Sequence, residues 1–284
     1  MSLTEEQMTM IIDDFIIEYT KGKTSNDNTN DIKIYLFWGP FGSGKSTLTN
    51  YLIKNSEIDI KHTIQINIDD IDRAISNNLC KINKDKICFY DECKANFSEI
   101  LDEKITENCN YINLYDKIES KNDKCKKILY RHDAGIVATA INQAVLGQKY
   151  SIVTESLGRE TTLKYYRDTY PNIKEENYHI YYPLIKKEKI YCRVLNRMKS
   201  EGRYVSKNII DEWVKSSPEN FVQATKIYQK INYYIYNNEI FPPELIWQKS
   251  SGGVKTKVIK CIRDLVNDYQ PLKELTCQDD YFYF

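Results

Sequence analysis

The sequence has no excess of either charge: 40 lysines and arginines balance 40 aspartates and glutamates over 284 residues. Without a basic surplus, the overall charge does not point to DNA, RNA or an anionic membrane as the main partner, although a local basic pocket stays open. Histidine is scarce, at three residues. The eight cysteines stand singly at Cys80, Cys88, Cys93, Cys109, Cys125, Cys192, Cys261 and Cys277. There is no C-x-x-C pair and no nearby histidine, so a metal cluster is disfavoured and the cysteines read as reduced thiols, mostly filling the core. No apolar run reaches the roughly 18 residues of a membrane span, and the N-terminus is acidic where a secretory signal would be basic; the expected location is the cytoplasm. No internal repeat is present. What the chain does have is 42% hydrophobic and 28% charged residues, a globular composition long enough for one substantial core or two small ones.

Thr4-Glu5-Glu6-Gln7 has the form of a capping box, and Met8, Ile11, Ile12, Phe15, Ile16 and Tyr19 follow at helical spacing. A polar stretch, Lys21 to Asn30, ends that helix. Lys33 to Trp38 is a short, nearly continuous apolar run, the pattern of a buried parallel strand. Further strand-like runs lie at Thr63 to Ile68, Tyr150 to Thr154, Tyr178 to Leu184 and Ile231 to Tyr236, with helical patterns between them. This alternation predicts an α/β fold with a mostly parallel sheet flanked by helices. Three segments are expected: an N-terminal helix and polar linker over 1–30, a P-loop core over 31–240 and a C-terminal extension over 241–284. A partly helical insertion at about 77–123 reads as a substrate cap. The extension, past Phe241-Pro242-Pro243 and a Ser250-Ser251-Gly252-Gly253 joint, is expected to be a helix from Lys255 to Asn267 with an aromatic tail, Tyr281 to Phe284.

Directly after the first strand stands Gly39-Pro40-Phe41-Gly42-Ser43-Gly44-Lys45-Ser46, which completes G-x-x-x-x-G-K-[ST]. Glycines let the backbone wrap phosphate oxygens with inward N–H groups, and the helix that follows presents its positive end to the same anion. Gly39, Phe41, Gly42, Ser43, Gly44, Lys45, Ser46 and Thr47 are therefore the candidate nucleotide-binding residues. Lys45 would reach the β- and γ-phosphates, and the Ser46 hydroxyl would sit on the magnesium ion bridging them. ATP and Mg2+ are the expected cofactors. A guanine-reading N-K-x-D and a switch-type D-x-x-G are both missing, which favours a kinase over a GTPase.

Carboxylates cluster where open α/β sheets bind ligands, at the carboxyl ends of strands. Ile66-Asn67-Ile68-Asp69-Asp70-Ile71-Asp72-Arg73 offers Asp69 or Asp70 as the base that takes a hydroxyl proton, the other capping the next helix, and Asp72 as a solvated helix residue. Ser151 to Glu155 ends in a second acid, Glu155, expected beside the glycine loop and suited to binding the acceptor or ordering magnesium waters. Arg131-His132-Asp133 opens a helix, where a lone histidine is a capping or surface residue. Trp38 and Phe41 beside the loop are better used in packing than in base stacking.

In the order and spacing of these motifs, from Ile34 to about Glu239, the chain resembles the zeta-toxin family of kinases, which phosphorylate UDP-N-acetylglucosamine. The family's G-x-P-G-x-G-K-[ST] loop is matched by Gly39, Gly42, Gly44, Lys45 and Ser46, with the proline one position early at Pro40. Its N-x-D-x-[FI] aligns Asn67, Asp69 and Ile71, so the resemblance selects Asp69 as base. An E-x-T-x-R form aligns Glu155 and Arg159 on the sugar-nucleotide side, with Leu157 in place of the threonine. Two lid arginines that grip the triphosphate correspond to Arg197 and Arg203, with Arg193 and Lys199 close by. The insertion and the stretch beyond Phe241 lie outside the pattern.

The sequence thus implies a kinase transferring the γ-phosphoryl group of ATP to a hydroxyl. Lys45, Asp69, Arg197 and Arg203 are the catalytic candidates, and Glu155 and Arg159 the substrate-binding ones. The acceptor side is left among a sugar nucleotide, a nucleoside or a polynucleotide end. A nucleotide-dependent binding module that engages a protein partner, such as an antitoxin, without transfer is the alternative from another class.

Overall fold

Strand β1, Ile34–Trp38, is buried along its whole length and forms the centre of the molecule. Its side chains divide by parity, as a strand covered on both faces requires. Ile34, Leu36 and Trp38 enter a large core under most of the helices, while Tyr35 and Phe37 pack with Leu48, Leu52 and Val153 beneath the helix after the glycine loop. Removing each such aromatic or aliphatic side chain from water stabilises the fold by about 1.5–3 kcal/mol.

The computed structural model describes residues 3–82, 89–101, 104–121, 124–126, 131–251, 256–258 and 269–276. In chain order, the helices and strands are α1 (Glu5–Thr20), β1, α2 (Lys45–Lys54), β2 (Thr63–Ile66), α3 (Ile68–Ile82), α4 (Phe89–Ile100), α5 (Tyr111–Glu119), α6 (Arg131–Gly147) and β3 (Ser151–Ser156). They continue with α7 (Glu160–Thr169), β4 (Tyr178–Leu184), α8 (Lys187–Glu201), α9 (Lys207–Ile227), β5 (Asn232–Asn237), β6 (Glu244–Lys249), β7 (Thr256–Val258) and α10 (Gln270–Thr276). The sheet runs β2-β3-β1-β4-β5-β6-β7. Its first five strands are parallel, and β6 and β7 add in antiparallel. The expected α/β architecture is therefore present. No helix among the described residues is long and apolar enough to cross a membrane.

Two local expectations hold in detail. Thr4 and Gln7 form the reciprocal capping box of α1, and α2 starts at Lys45. Three others are corrected. Residues 256–258, at the start of the helix expected from Lys255, form strand β7 by pairing with β6, 244–249, a strand that no sequence signal marked and whose Ile246 and Trp247 are buried; that tertiary pairing outweighs local helix propensity. The remainder of the expected helix, at 259–267, and the tail at 281–284 lie outside the described residues. The second correction concerns the helix after β2. Asn67 caps it, accepting the Asp69 N–H on Oδ1 at 2.9 Å, and both aspartates fall in the first turn of α3, where negative charge suits the helix dipole.

The third correction concerns the cysteines. Cys93 pairs with Cys125 and Cys109 with Cys192 as disulfides, across 32 and 83 residues. Pairings that distant leave no trace in sequence spacing. The Cys109–Cys192 bridge fastens the inserted segment to α8, and α4 and α5 also pack on α8. The insertion therefore braces that helix. Cys88, Cys261 and Cys277, and the side chain of Cys80, lie outside what the structure describes.

Candidate active site

The glycine loop emerges from β1 and is tied to β3 by the Gly39 N–H on the Ser156 carbonyl at 3.1 Å. Gly42 and Gly44 have φ of +72° and +84°, the left-handed region that favours glycine. A Cβ at Gly42 would also stand 2.8 Å from the Ile190 carbonyl oxygen of α8, so the loop can approach α8 only without a side chain there. The Lys45 ammonium folds back over the loop, donating to the Gly39 and Pro40 carbonyls at 2.9 Å each. Asn238, just past β5, donates from Nδ2 to the Ser43 carbonyl at 2.9 Å and to that of Gly44 at 3.3 Å. The loop is thus held from both sides. Gly44, the N-cap of α2, provides no side-chain cap. The first-turn N–H groups, which no helix can bond internally, are left for an anion.

Register puts Glu155 opposite Phe37, next to the loop. Its Oε1 accepts the Ser46 hydroxyl at 2.6 Å. A hydroxyl and a carboxylate side by side form the oxygen-rich corner that Mg2+ takes, an ion that keeps several waters and phosphate oxygens and needs few protein ligands. Among the described residues no cluster of three or more histidine, cysteine or acidic side chains offers a complete metal cage. The donor set therefore fits magnesium shared with phosphates, with Ser46 and Glu155 nearest.

Asp69 is the meeting point of the charged groups. Its Oδ2 accepts a hydrogen bond from Arg197 Nη2 at 2.9 Å and its Oδ1 one from Arg203 Nη2 at 2.6 Å. Arg197 also reaches Glu201 at 3.1 Å, and Arg203 Nε lies 3.9 Å from Asp72. Burial alone would lower the affinity of both guanidinium groups for their protons. The surrounding carboxylates, Asp69 foremost, outweigh it and hold both well in the charged form. Asp72 was expected to be solvated. It is fully buried, accepts the Tyr90 hydroxyl of α4 at 2.9 Å, and belongs to this network.

Two cavities open on either side of Asp69. One, of about 700 Å³, is lined by Gly42, Gly44, Lys45, Ser46, Thr47, Asn238 and Phe241. The other, of about 500 Å³, is lined by Leu157, Arg159, Thr162, Tyr165 and a face of α6. Lys45, Asn67, Asp69, Glu155 and Arg197 border both. Phe41 lines the second and packs partly against the core, and Trp38 is wholly buried. Arg159 stacks on Trp213 at 4.9 Å on the rim.

Phe41, Gly42, Gly44, Lys45, Ser46, Thr47, Asp69, Glu155, Arg159 and Arg197 line these two cavities; Gly39 and Ser43 lie in the glycine loop without lining either, and Arg203 reaches them through Asp69. Sequence reasoning missed Asn238, Asn142, Phe241 and the insertion's Glu107, which pairs with Arg193 at 2.8 Å and is held in its ionised form by that hydrogen bond. None carries a motif; each becomes visible only through its place in the fold, Asn238 and Phe241 past the end of β5, Asn142 on a face of α6 and Glu107 in the turn before α5. The side chain of His132 is not described, while Asp133 accepts the Leu3 N–H at 3.1 Å.

Comparison with known proteins follows this geometry. Residues 104–241, just under half of the chain, match the family model described as Zeta toxin. The match begins downstream of the glycine loop and includes the last part of the segment that the sequence reading set outside the family pattern. The structure resembles one determined for the PezAT chromosomal toxin-antitoxin system of Streptococcus pneumoniae, with 13% identity, a TM-score of 0.58, and coverage of 98% of this chain and 99% of that one. A structure of AvrRxo1-ORF1:AvrRxo1-ORF2 with ATP aligns at 10% identity and a TM-score of 0.47, over 99% of this chain and 73% of that one. No curated protein matches the sequence. The resemblance to the zeta-toxin family, read from motif order, therefore stands, and the chain has the α/β P-loop fold.

Proposed function

We propose that this chain, whose residues 104–241 carry the zeta-toxin match, is a kinase that moves the γ-phosphoryl group of ATP to a hydroxyl of a small acceptor, UDP-N-acetylglucosamine foremost. The observation that carries the reading is the seam between the two cavities. Lys45, Asp69, Glu155 and Arg197 border both, so a phosphate donor on the loop side and a hydroxyl on the other would meet at Asp69.

The residues divide the work. Loop N–H groups and Lys45 bind the phosphates of ATP. Ser46 and Glu155 would hold a magnesium ion, whose chemistry is to neutralise phosphate charge. Asp69 takes the acceptor's proton as the new O–P bond forms and the bond to the bridging oxygen of ADP breaks. Two guanidinium groups on Asp69 weaken it as a base, so their hydrogen bonds must pass to the phosphoryl oxygens. In one displacement Arg197 and Arg203 would stabilise the charge spreading over those oxygens and free Asp69 to accept the proton. The acceptor cavity favours a small molecule over a polynucleotide: its lining mixes Lys45, Arg159 and Arg197 with Asp69 and Glu155, unlike a wholly basic groove.

The test is to incubate the purified protein with γ-labelled ATP, magnesium and a panel of UDP-sugars, nucleosides and oligonucleotides. Label on a UDP-sugar supports the proposal, and label on an oligonucleotide alone replaces its acceptor. No label on any acceptor would leave a nucleotide-dependent binding module.

A further inference from the structure

On the acceptor side, α6 turns one face to the 500 Å³ cavity. Gly135, Ala138, Thr139 and Asn142 line it at the i, i+3, i+4, i+7 spacing of a single helix face. Gly135 has open space where a side chain would stand, and Thr139 commits its hydroxyl to the Gly135 carbonyl at 2.8 Å. Asn142 is different. Only 5% of it is exposed, and its Oδ1 is sealed from solvent without a hydrogen-bond partner. Buried polar atoms are rarely left so, because an unmade hydrogen bond forfeits the hydration that burial removed. Leu157, on the same cavity wall, is apolar where the family resemblance implies a hydroxyl.

We infer that Asn142 is a specificity-determining residue of the acceptor site, its amide turning toward the cavity to read an N–H beside a carbonyl on the acceptor. An asparagine amide has an acceptor oxygen next to N–H donors, and its complement is a group with the same pair reversed. The small residues of α6 leave room for a flat group to lie against the helix, with Tyr165 on the α7 side of the cavity. The imide edge of a uracil-type base has this pair side by side, whereas the N-acyl group of an amino sugar, a trans amide with its N–H and C=O on opposite sides, can offer Asn142 Oδ1 its N–H alone. The inference rests on the proposed function only in taking this cavity as the acceptor side.

The test is calorimetric binding to the full chain, for wild type, Asn142→Leu and Asn142→Ala. The probes are UDP-N-acetylglucosamine, UDP-glucose, N-acetylglucosamine 1-phosphate and a non-hydrolysable ATP analogue. Both variants should bind UDP-N-acetylglucosamine about tenfold more weakly, the loss of one hydrogen bond, while the ATP analogue keeps its affinity. A parallel loss for UDP-glucose assigns the contact to the base, and for N-acetylglucosamine 1-phosphate to the acyl group. Unchanged affinity in both variants overturns the inference. So does equal loss of the ATP analogue in both, which would make Asn142 structural, or a wild type that binds none of the sugar probes. Transfer plays no part in this readout: a wild type that binds the probes through Asn142 and moves no phosphate would sink the kinase reading and leave this inference standing.

Discussion

Arg203 donates to Asp69 Oδ1 at 2.6 Å, which joins a residue just beyond α8 to the first turn of α3, 134 positions earlier in the chain. The pair lies at the proposed seam between donor and acceptor, and its rearrangement is what the proposed chemistry requires. Its two members should therefore respond differently to substitution.

Asp69→Asn keeps the shape and removes both charge and basicity. Transfer should fall by about 10²- to 10⁴-fold while ATP affinity changes little. Asp69→Ala should also lower stability, by about 2–4 kcal/mol, because Arg203 is left buried with only the more distant Asp72 and Glu201. Rates and chemical denaturation of both variants check this; wild-type turnover in Asp69→Asn would remove Asp69 as the base.

Arg203→Lys retains a positive charge but loses the planar fork that grips two oxygens at once. Turnover should drop at least about tenfold with the ATP KM less affected, since the interaction strengthens in the transition state. A change confined to KM would instead mark Arg203 as a ground-state binder.

Asn238 holds the carbonyls of Ser43 and Gly44. Asn238→Ala should raise the ATP KM about tenfold through a looser loop, with melting temperature nearly unchanged. Gly44→Ala should be more damaging, since a left-handed backbone and the adjacent Asn238 amide both resist a methyl group. Nucleotide titrations of the two variants separate loop order from loop strain.

The account of which residues matter was partly open to sequence reasoning. The loop was legible because its chemistry is compressed into eight consecutive positions. Asp69, Glu155, Arg197 and Arg203 were legible through strand ends and family spacing. Asp72 was not, because its burial depends on Tyr90 from a segment with no readable register. The edge strands β6 and β7 hid behind a double proline and a glycine pair. Asn142 and Asn238 became visible only when the sheet and α6 were assembled around the loop.

Away from the site, His179 on β4 stacks between Tyr35 at 5.2 Å and Tyr234 at 6.1 Å. Burial, with a smaller push from Lys33, lowers its pKa from 6.5 to about 4. Between those values the unfolded chain takes a proton that the folded chain refuses. Stability is therefore complete above about pH 6.5 and is lost as pH falls toward 4, by up to about 3 kcal/mol. Melting temperatures from pH 7 to 4 should show this, and His179→Phe should flatten the slope over that window.

The central claim is transfer to a hydroxyl at the Asp69 seam, and ³¹P NMR of one mixture tests it most directly. With ATP, magnesium and UDP-N-acetylglucosamine, the wild type should build up ADP together with a new monoester resonance on the sugar nucleotide, and Asp69→Asn should build up neither. ADP and free phosphate with no new monoester, or an unchanged spectrum from the wild type, would contradict it.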